Sequence, residues 1–215
     1  MISVKAKQRY NRAQQAELKF NDVNDCSFNA ASAIEEVERV GININDVTGR
    51  VLDIGGGQGH FTSIFTNASE RIVVDPLFEK IGVSLEGITG ISCVGEQLPF
   101  QAKSFDFVIL RNVVDHMLEP ERLLREAYRV LKLGGKIYFM VNVFLPFFKP
   151  LFPLMNIIDK PHPLHFTLND VRKLLTKDVG VRIETERIAP SMHFKWNLKR
   201  VVGMMIKKEY YAILC

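Results

Sequence analysis

The sequence predicts an α/β fold: a Rossmann-like, doubly wound sheet, mostly parallel, with helices on both faces and an antiparallel hairpin at its C-terminal edge. Three observations support this fold. An apolar run, Val51 to Ile54, leads into a loop rich in glycine, and a second apolar run ends on Asp75. The segment Phe107 to Leu110 is apolar throughout, as is typical of a parallel strand buried on both faces. Strand-like and helix-like segments alternate along the chain, which is the pattern of a doubly wound sheet.

Two helices are predicted before the first strand. Residues Lys5 to Phe20 are rich in helix formers and polar on most sides, so this helix would have only a narrow apolar stripe. The second helix spans about Phe28 to Val40, with apolar residues at helical spacing, and Gly41 fits its C-terminal cap.

The stretch after the first strand predicts a nucleoside-cofactor site. Glycines between Gly55 and Gly59 tolerate positive φ and let a ligand approach the backbone closely. The helix expected straight after them would point its free N–H groups at that ligand. Asp75, at the end of the second strand, is placed to accept hydrogen bonds from a ribose. A dinucleotide loop would need a further glycine at His60 or Thr62, and neither position has one.

The remaining elements follow the same alternation. The predicted parallel strands are Ile91 to Val94, Phe107 to Leu110 and Lys136 to Val143, with a helix over Pro120 to Leu131 that ends at Gly134-Gly135.

The last elements are a helix and two strands. Thr167 is a predicted N-cap, with Asp170 as the second member of a variant capping box for a helix over Leu168 to Thr176. Val179 to Arg187 and Glu209 to Cys215 would form the antiparallel edge hairpin.

Composition narrows the class of protein. A chain of 215 residues with 47% hydrophobic residues suits one domain with a real core. A net charge of +4 does not by itself indicate nucleic-acid binding, and we expect no nucleic-acid partner. Three widely spaced cysteines predict neither a disulfide framework nor a zinc site, and they fit a reducing cytosol. No apolar run approaches the roughly 18 residues of a membrane span. We therefore expect a cytoplasmic monomer or homodimer with at most peripheral membrane contact.

Four motifs carry a resemblance to a known family. The spacing Asp53-x-Gly55-x-Gly57-x-Gly59 resembles the first motif of the class I S-adenosylmethionine-dependent methyltransferases. The runs that follow are similar to that large family of small-molecule and lipid methyltransferases: Glu96-x-Leu98-Pro99-Phe100, Ser104-Phe105-Asp106 and Arg125 to Gly135. The resemblance covers Val51 to Val143. One departure is Val94, which stands where the family often has the acid that binds the adenine amino group.

The resemblance implies the cofactor S-adenosylmethionine, the product S-adenosylhomocysteine and a set of binding residues. Asp53 and the glycine loop would bind the methionine end, Asp75 the ribose, and residues 95–98 the adenine. The full expected set is Asp53, Ile54, Gly55, Gly56, Gly57, Gln58, Gly59, Asp75, Pro76, Gly95, Glu96, Gln97, Leu98 and Arg111.

The resemblance also implies a division of one domain, residues 1–215, into three parts. Residues 1–45 would form a helical cap, residues 46–143 the cofactor-binding core, and residues 144–208 acceptor-side insertions interleaved with the C-terminal strands. Within the cap, Tyr10 is either a lid residue over the cofactor or part of a helix that merely packs on the sheet.

The implied reaction is methyl transfer to a small-molecule acceptor, with a sugar- or lipid-linked hydroxyl as one candidate. A hydroxyl acceptor would need a base, and the candidate catalytic residues are His116 first and then His165, followed by His162. An amine, thiol or activated carbon would not need one. His162 and His165 also fit loop residues that bond to the backbone. No metal site is expected, because no third ligand at matching spacing is evident, although Asp115 and His116 could lie near the pair.

Two segments outside the resemblance have open roles. Residues 144–158 hold four phenylalanines, three prolines and one charge. They would form an apolar lid or acceptor pocket, or else a flap packed on the core or at a dimer contact. Residues 193–208 hold five lysines and arginines and no acid. They would form a helix that covers the acceptor pocket or, as the less favoured alternative, one that lies on a membrane surface.

Two alternative functions remain at this point. An NAD-type oxidoreductase would need the missing glycine and a Tyr-x-x-x-Lys dyad, for which Tyr128 and Lys132 have the spacing. A non-catalytic protein that only binds S-adenosylmethionine is left open by Val94.

Overall fold

A computed structural model of the chain describes most of the sequence. The described residues are 8, 10–16, 18, 28–81, 85–158, 162–190 and 207–215. Residues 8, 10–16 and 18 are helical, in agreement with the first predicted helix. The other residues of that helix, Cys26, and residues 193–206 of the predicted basic helix lie outside the described residues.

Eight strands among the described residues form one sheet, in the order β3-β2-β1-β4-β5-β8-β7, with the short β6 paired to β5. They are β1 Gly49–Ile54, β2 Ala68–Val74, β3 Thr89–Ile91, β4 Phe105–Arg111, β5 Leu131–Phe144, β6 Phe166–Thr167, β7 Ile183–Pro190 and β8 Lys207–Leu214. Strands β1 to β6 pair in parallel, whereas β8 is antiparallel to both β5 and β7. The predicted fold class, including its antiparallel edge hairpin, is confirmed.

The α-helices with complete bounds are α1 Ala30–Glu38, α2 Phe78–Ile81, α3 Pro120–Val130, α4 Phe152–Ile158 and α5 Leu168–Lys173. Asn29 caps α1 by accepting a hydrogen bond from the Ser32 N–H. The predicted capping box is present at α5, where both the Thr167 and the Asp170 side chains bond to the backbone. Sequence-local capping chemistry therefore sets these two helix starts.

Both faces of the sheet are covered, because alternate residues of each strand point to opposite sides. In β4, Val108 and Leu110 join a core beneath α3 and α5. Phe107 and Ile109 join a second core beneath α1. The sheet edge formed by the carboxyl ends of the parallel strands is thus held rigidly from both sides.

Two predicted elements are wrong. The helix expected directly after the glycine loop is only a 3₁₀ turn, Thr62–Ile64. Eight residues separate Gly59 from β2, too few for a stable helix whose first turn is costly to form. The third strand lies at Thr89–Ile91 rather than at Ile91 to Val94. The Ile91 carbonyl accepts a hydrogen bond from the Asp75 N–H, after which the chain leaves the sheet and Val94 is exposed.

The hairpin also starts later than predicted, at Ile183 rather than at Val179. Residues Leu174–Val179 continue α5 as a π-helical turn, and Gly180 ends it at φ +80°. The tightly packed Leu174 and Leu175 hold this extra turn against the core, which outweighs the local strand pattern.

No helix within the described ranges is long and apolar enough to cross a membrane.

Candidate cofactor and acceptor site

The glycine loop bends sharply away from β1. The Gly55 N–H donates to the Val74 carbonyl, at 2.7 Å, and Gly55 has φ +75°. A Cβ atom at this position would lie 2.4 Å from the Val113 side chain, so only glycine fits. Gly57 also has positive φ, at +54°, and has open space where a side chain would be. The backbone at Gly57 is therefore accessible to a ligand.

Asp53 lies directly beneath this loop. Its carboxylate is buried and accepts a 2.6 Å hydrogen bond from the Thr62 hydroxyl. A Cβ atom at Gly56 would lie 2.6 Å from the same carboxylate. Burial raises the pKa of Asp53 to about 6, although the Thr62 hydrogen bond and the charge of Arg111 act against the rise. The structure thus brings Asp53 against the loop backbone from below.

Asp75 faces the loop from the end of β2. Its carboxylate accepts hydrogen bonds from the Leu77 N–H, at 2.8 Å, and from the Gly57 N–H, at 3.2 Å. Burial raises the pKa of Asp75, while these two N–H groups and the charge of His116 lower it. The second bond connects the two predicted parts of the site, the loop and the acid.

Tyr10, from the N-terminal helix, lies close to this acid. Burial, and then the negative charges of Glu96 and Asp75, raise the pKa of the Tyr10 phenol to about 12. Glu96 is itself buried and accepts a hydrogen bond from the Leu118 N–H, at 3.1 Å. This placement favours the interpretation of Tyr10 as a lid residue.

The segment 95–98 presents its residues in different directions. The Gln97 side chain is exposed, whereas Leu98 is buried in the core and its N–H donates to Glu126 at 2.9 Å. A Cβ atom at Gly95 would collide with the Leu123 and Ile54 side chains. Within this segment, Glu96 is buried and bonded to the Leu118 N–H, and Gln97 alone has an exposed side chain.

The other predicted binding residues lie around the loop. Gln58 and Pro76 are half-buried, and the Gln58 side-chain oxygen lies 2.9 Å from His60 Nε2. Ile54 and Gly59 are buried, so Ile54 can offer a ligand only its backbone.

Arg111, at the end of β4, is engaged with α1 rather than with the glycine loop. Its Nε and Nη2 atoms each donate to Glu36, both at 2.8 Å. The Tyr138 hydroxyl donates to the same carboxylate at 2.8 Å, and the guanidinium lies over the Phe61 ring. Burial opposes the charge, but Glu36 raises the pKa of Arg111 above its usual range. Glu36 is not predictable from the sequence, because a polar position on a helix gives no signal of a partner 75 residues away.

A second cluster lies just beyond β4, where a 3₁₀ turn spans Val114–His116. His116 Nε2 is 3.8 Å from one oxygen of Asp115, and His162 Nε2 is 4.0 Å from the other. The two imidazole rings are 4.8 Å apart, and the Leu164 N–H donates to the Asp115 carbonyl. The structure thus places His162 beside the Asp115-His116 pair.

His165 is separate from that cluster. Its ring packs against Phe144 and Phe152, with centroid distances of 5.4 and 5.6 Å. Both phenylalanines belong to the apolar segment 144–158, in which Phe147, Leu151 and Leu154 are exposed. Of the three candidate catalytic histidines, His116 is close enough for its charge to lower the pKa of Asp75.

The dyad of a dehydrogenase does not assemble. Tyr128 lies on α3, but Lys132 is already in β5, with its ammonium 2.8 Å from Asp106. Within the part of the chain that the structure describes, the Tyr128 hydroxyl has no hydrogen-bond partner.

Comparisons with known proteins agree with this geometry. Residues 52–139 match the profile of a family described as "Methyltransferase domain". UbiE of Cronobacter sakazakii, a ubiquinone/menaquinone biosynthesis C-methyltransferase, is 28% identical over 144 residues, which is 61% of this chain and 55% of that protein. YcgJ of Bacillus subtilis, an uncharacterized methyltransferase, is 28% identical over 169 residues, 74% of this chain and 64% of that protein.

Solved structures share the fold. The YcgJ crystal structure superposes with a TM-score of 0.59 at 20% identity, covering 86% of this chain and 97% of that one. A geranyl diphosphate methyltransferase in complex with S-adenosylmethionine gives a TM-score of 0.64 at 10% identity, covering 86% and 79%.

A parallel sheet with a glycine loop and an acid at the next strand end is the arrangement found in Rossmann-like proteins that bind nucleoside cofactors. The family match shows that residues 52–139 are similar to a methyltransferase domain, and the solved structures show that the fold is shared with methyltransferases. The chain spans about half the length of the curated relatives it matches.

Proposed function

We propose that this protein binds S-adenosylmethionine and transfers its methyl group to a small-molecule acceptor, releasing S-adenosylhomocysteine. One observation carries the proposal: the Asp75 carboxylate lies at the end of β2, bonded to the open Gly57 backbone. A ribose placed there would gain a carboxylate for its two hydroxyls, and the methionine group would lie along the glycine loop.

Each part of the cofactor has a proposed partner. Asp75 binds the ribose, and Gln58 and Pro76 flank it. Residues 55–59 bind the methionine end, and Asp53 supports them from below through Thr62. Glu96 and Gln97 frame the adenine, taking over from the acid that Val94 replaces. Arg111 acts through its contact with Glu36, which positions α1 at the edge of the site.

The nucleophile must approach the methyl group in line with the carbon–sulfur bond. The sulfonium supplies the activated methyl, and the protein supplies orientation, which can contribute on the order of 7–11 kcal/mol. The carbon–sulfur bond breaks as the acceptor–carbon bond forms, and sulfur keeps the electron pair.

The acceptor side of the site comprises the Asp115, His116 and His162 cluster and the apolar segment with His165. For a hydroxyl acceptor, such as a sugar- or lipid-linked alcohol, His116 is the first candidate to take the proton and His165 the second. The exposed Phe147, Leu151 and Leu154 favour an acceptor with an apolar part.

Calorimetry with S-adenosylmethionine and with NAD tests the cofactor. We expect S-adenosylmethionine to bind and NAD not to bind. An Asp75→Ala variant should bind S-adenosylmethionine about 30- to 160-fold more weakly, because it loses two charge-assisted hydrogen bonds worth roughly 2–3 kcal/mol together. Asp46→Ala, an exposed acid in the turn before β1, is the matched control and should bind as the wild type does.

Two outcomes would contradict the proposal. Tight binding of NAD alone would favour the oxidoreductase alternative, and full-strength binding by Asp75→Ala would remove the ribose assignment. A screen of sugar, isoprenoid, lipid and amine acceptors, with S-adenosylhomocysteine release as the readout, separates a methyltransferase from a protein that only binds the cofactor.

A further inference from the structure

We propose that Asp115, His116 and His162 form a binding site for one divalent transition-metal ion, such as Zn²⁺, Fe²⁺ or Mn²⁺. Their candidate ligand atoms, one carboxylate oxygen and two imidazole nitrogens, all lie within 4.8 Å of one another. Asp115 and His116 come from the turn after β4, and His162 comes from the loop before β6. The fold thus brings His162 beside two residues that lie 46 and 47 positions before it in the sequence.

The state of Asp115 is the observation that points to a cation. The residue is only 3% exposed, and its Oδ1 atom has no hydrogen-bond partner among the described residues. In that part of the chain its ion-pair partners are His116 and His162, at 3.8 and 4.0 Å. These distances are longer than a hydrogen bond. A buried carboxylate in this condition is costly unless something else satisfies it.

A metal ion would satisfy the Asp115 carboxylate and could bind both imidazoles at the same time. Two imidazoles and one carboxylate are the donor set of many zinc and non-haem iron sites. With metal–ligand bonds of about 2.0–2.2 Å, ligand atoms around a tetrahedral ion lie roughly 3.3 Å apart. The cluster would therefore contract by about 0.5–1.5 Å on binding. His162 allows such movement, since its side chain is the most exposed of the three, at 24%.

A backbone hydrogen bond holds the two segments of the cluster next to each other. The Leu164 N–H donates to the Asp115 carbonyl at 3.1 Å, so the loop that carries His162 is fixed beside the turn. The neighbouring Leu118 N–H is bonded to Glu96 on the cofactor side. The proposed metal site is thus built into the wall between the cofactor and the acceptor segment.

Three protein ligands leave a coordination position open, as in catalytic rather than structural metal sites. Here the inference rests on the proposed function. The open position would take an oxygen of the acceptor, such as an enolate, a phenolate or a hydroxyl next to a carbonyl. A hydroxyl acceptor would lose its O–H proton to solvent as its oxygen binds the metal, so no side-chain base would be needed, and His116 would act as a metal ligand and not as the base. The oxygen then forms its bond to the methyl carbon as the carbon–sulfur bond breaks and S-adenosylhomocysteine leaves.

The test uses untagged full-length protein stripped with a chelator and titrated with Co²⁺, followed by visible absorption, and with Zn²⁺, followed by calorimetry. We expect one equivalent to bind per chain. Asp115→Asn and His162→Gln should each weaken binding at least tenfold, whereas Asp46→Asn, the exposed control, should not. The proposal is overturned by the absence of saturable binding, or by variants that bind as tightly as the wild type.

Three further measurements distinguish a misfolded variant, a wrong proposed function and a wrong acceptor assignment. Thermal unfolding shows whether each variant folds, and if Asp115→Asn does not, the more exposed His162→Gln decides. S-adenosylmethionine binding is measured on the same proteins: metal binding without it would refute the proposed function and leave the metal site standing. Acetohydroxamate, a chelating oxygen ligand, should shift the Co²⁺ spectrum of the wild type. An unchanged spectrum would rule out the oxygen-acceptor assignment alone.

Discussion

The proposed cofactor side and the proposed acceptor side of the site lie on the same edge of the sheet, but their acids are bonded differently. On the cofactor side the acids have hydrogen-bond donors within the protein: Thr62 for Asp53, and two backbone N–H groups for Asp75. On the acceptor side, the Asp115 Oδ1 atom has no hydrogen bond within the described residues.

This difference follows from what each side must do. A loop that binds with its backbone has to be rigid before the ligand arrives, so its supporting side chains are fully bonded to one another. A group that exchanges partners during a reaction cannot have all its bonds made inside the protein. This difference predicts that substitutions of the bonded groups on the cofactor side change the stability of the protein.

The largest expected effect is at Arg111. In Arg111→Ala the largely buried Glu36 loses both guanidinium hydrogen bonds and keeps only the Tyr138 hydroxyl. We expect a loss of about 3 kcal/mol in the free energy of unfolding, toward the low end for a broken buried pair because the guanidinium is partly exposed. Urea unfolding at neutral pH measures it.

Arg122→Ala is the matched control. Arg122 pairs with Glu119 at 3.6 Å, and both side chains are well exposed. Its loss should cost well under about 1 kcal/mol. If the two variants lost equal free energy of unfolding, the contact between α1 and β4 would stabilise the protein no more than an exposed ion pair does.

The two sides also differ in how far local sequence predicts them. The parallel strands, the glycine turn and the capping box at Thr167 follow from short patterns, because neighbouring residues alone determine apolar alternation, positive φ and capping. The pairing of Arg111 with Glu36 and the approach of His162 to Asp115 depend on how distant segments pack. The short 3₁₀ turn at Thr62 has a different cause, since only eight residues lie between Gly59 and β2 and this is too few for a stable helix.

The second effect depends on pH and concerns Asp53. Its pKa is about 6 in the folded protein, above its ordinary value, so folding takes up protons between about pH 4 and pH 6. The contribution of Asp53 to the free energy of unfolding is therefore fully present below about pH 4, and it is lost as the pH rises through 6. We expect Asp53→Asn, which can still accept the Thr62 hydrogen bond, to be more stable than the wild type at pH 7.5 by on the order of 2 kcal/mol. Unfolding curves at pH 4 should show almost no difference.

Asp106→Asn is the control, because its effect on stability should depend on pH in the opposite direction. Burial raises the pKa of Asp106, but Lys132 and the Arg50 N–H lower it by more, so the pKa is below its ordinary value. Its contribution to stability is present above the ordinary aspartate pKa and is lost as the pH falls through the lowered value. If Asp53→Asn proved less stable than the wild type at pH 7.5, Asp53 would be held by attractive contacts and would not be a buried charge beneath the loop.

The smallest expected effect on stability is that of Gly57→Ala in the glycine loop, which is compared with the same substitution at a glycine outside the loop. Gly57→Ala places a methyl group at φ +54°, with no atom within 4 Å of it, so the cost should be the backbone strain alone, about 1 kcal/mol. Gly134→Ala has the same open surroundings at φ +79°, in β5, and should cost a similar amount. Only Gly57→Ala should also weaken S-adenosylmethionine binding, by tenfold or more, because its methyl group would occupy the space proposed for the cofactor. Since both variants carry the same strain, a loss of affinity shared by the two would trace to general destabilisation, whereas a loss confined to Gly57→Ala would place the ligand against this stretch of backbone.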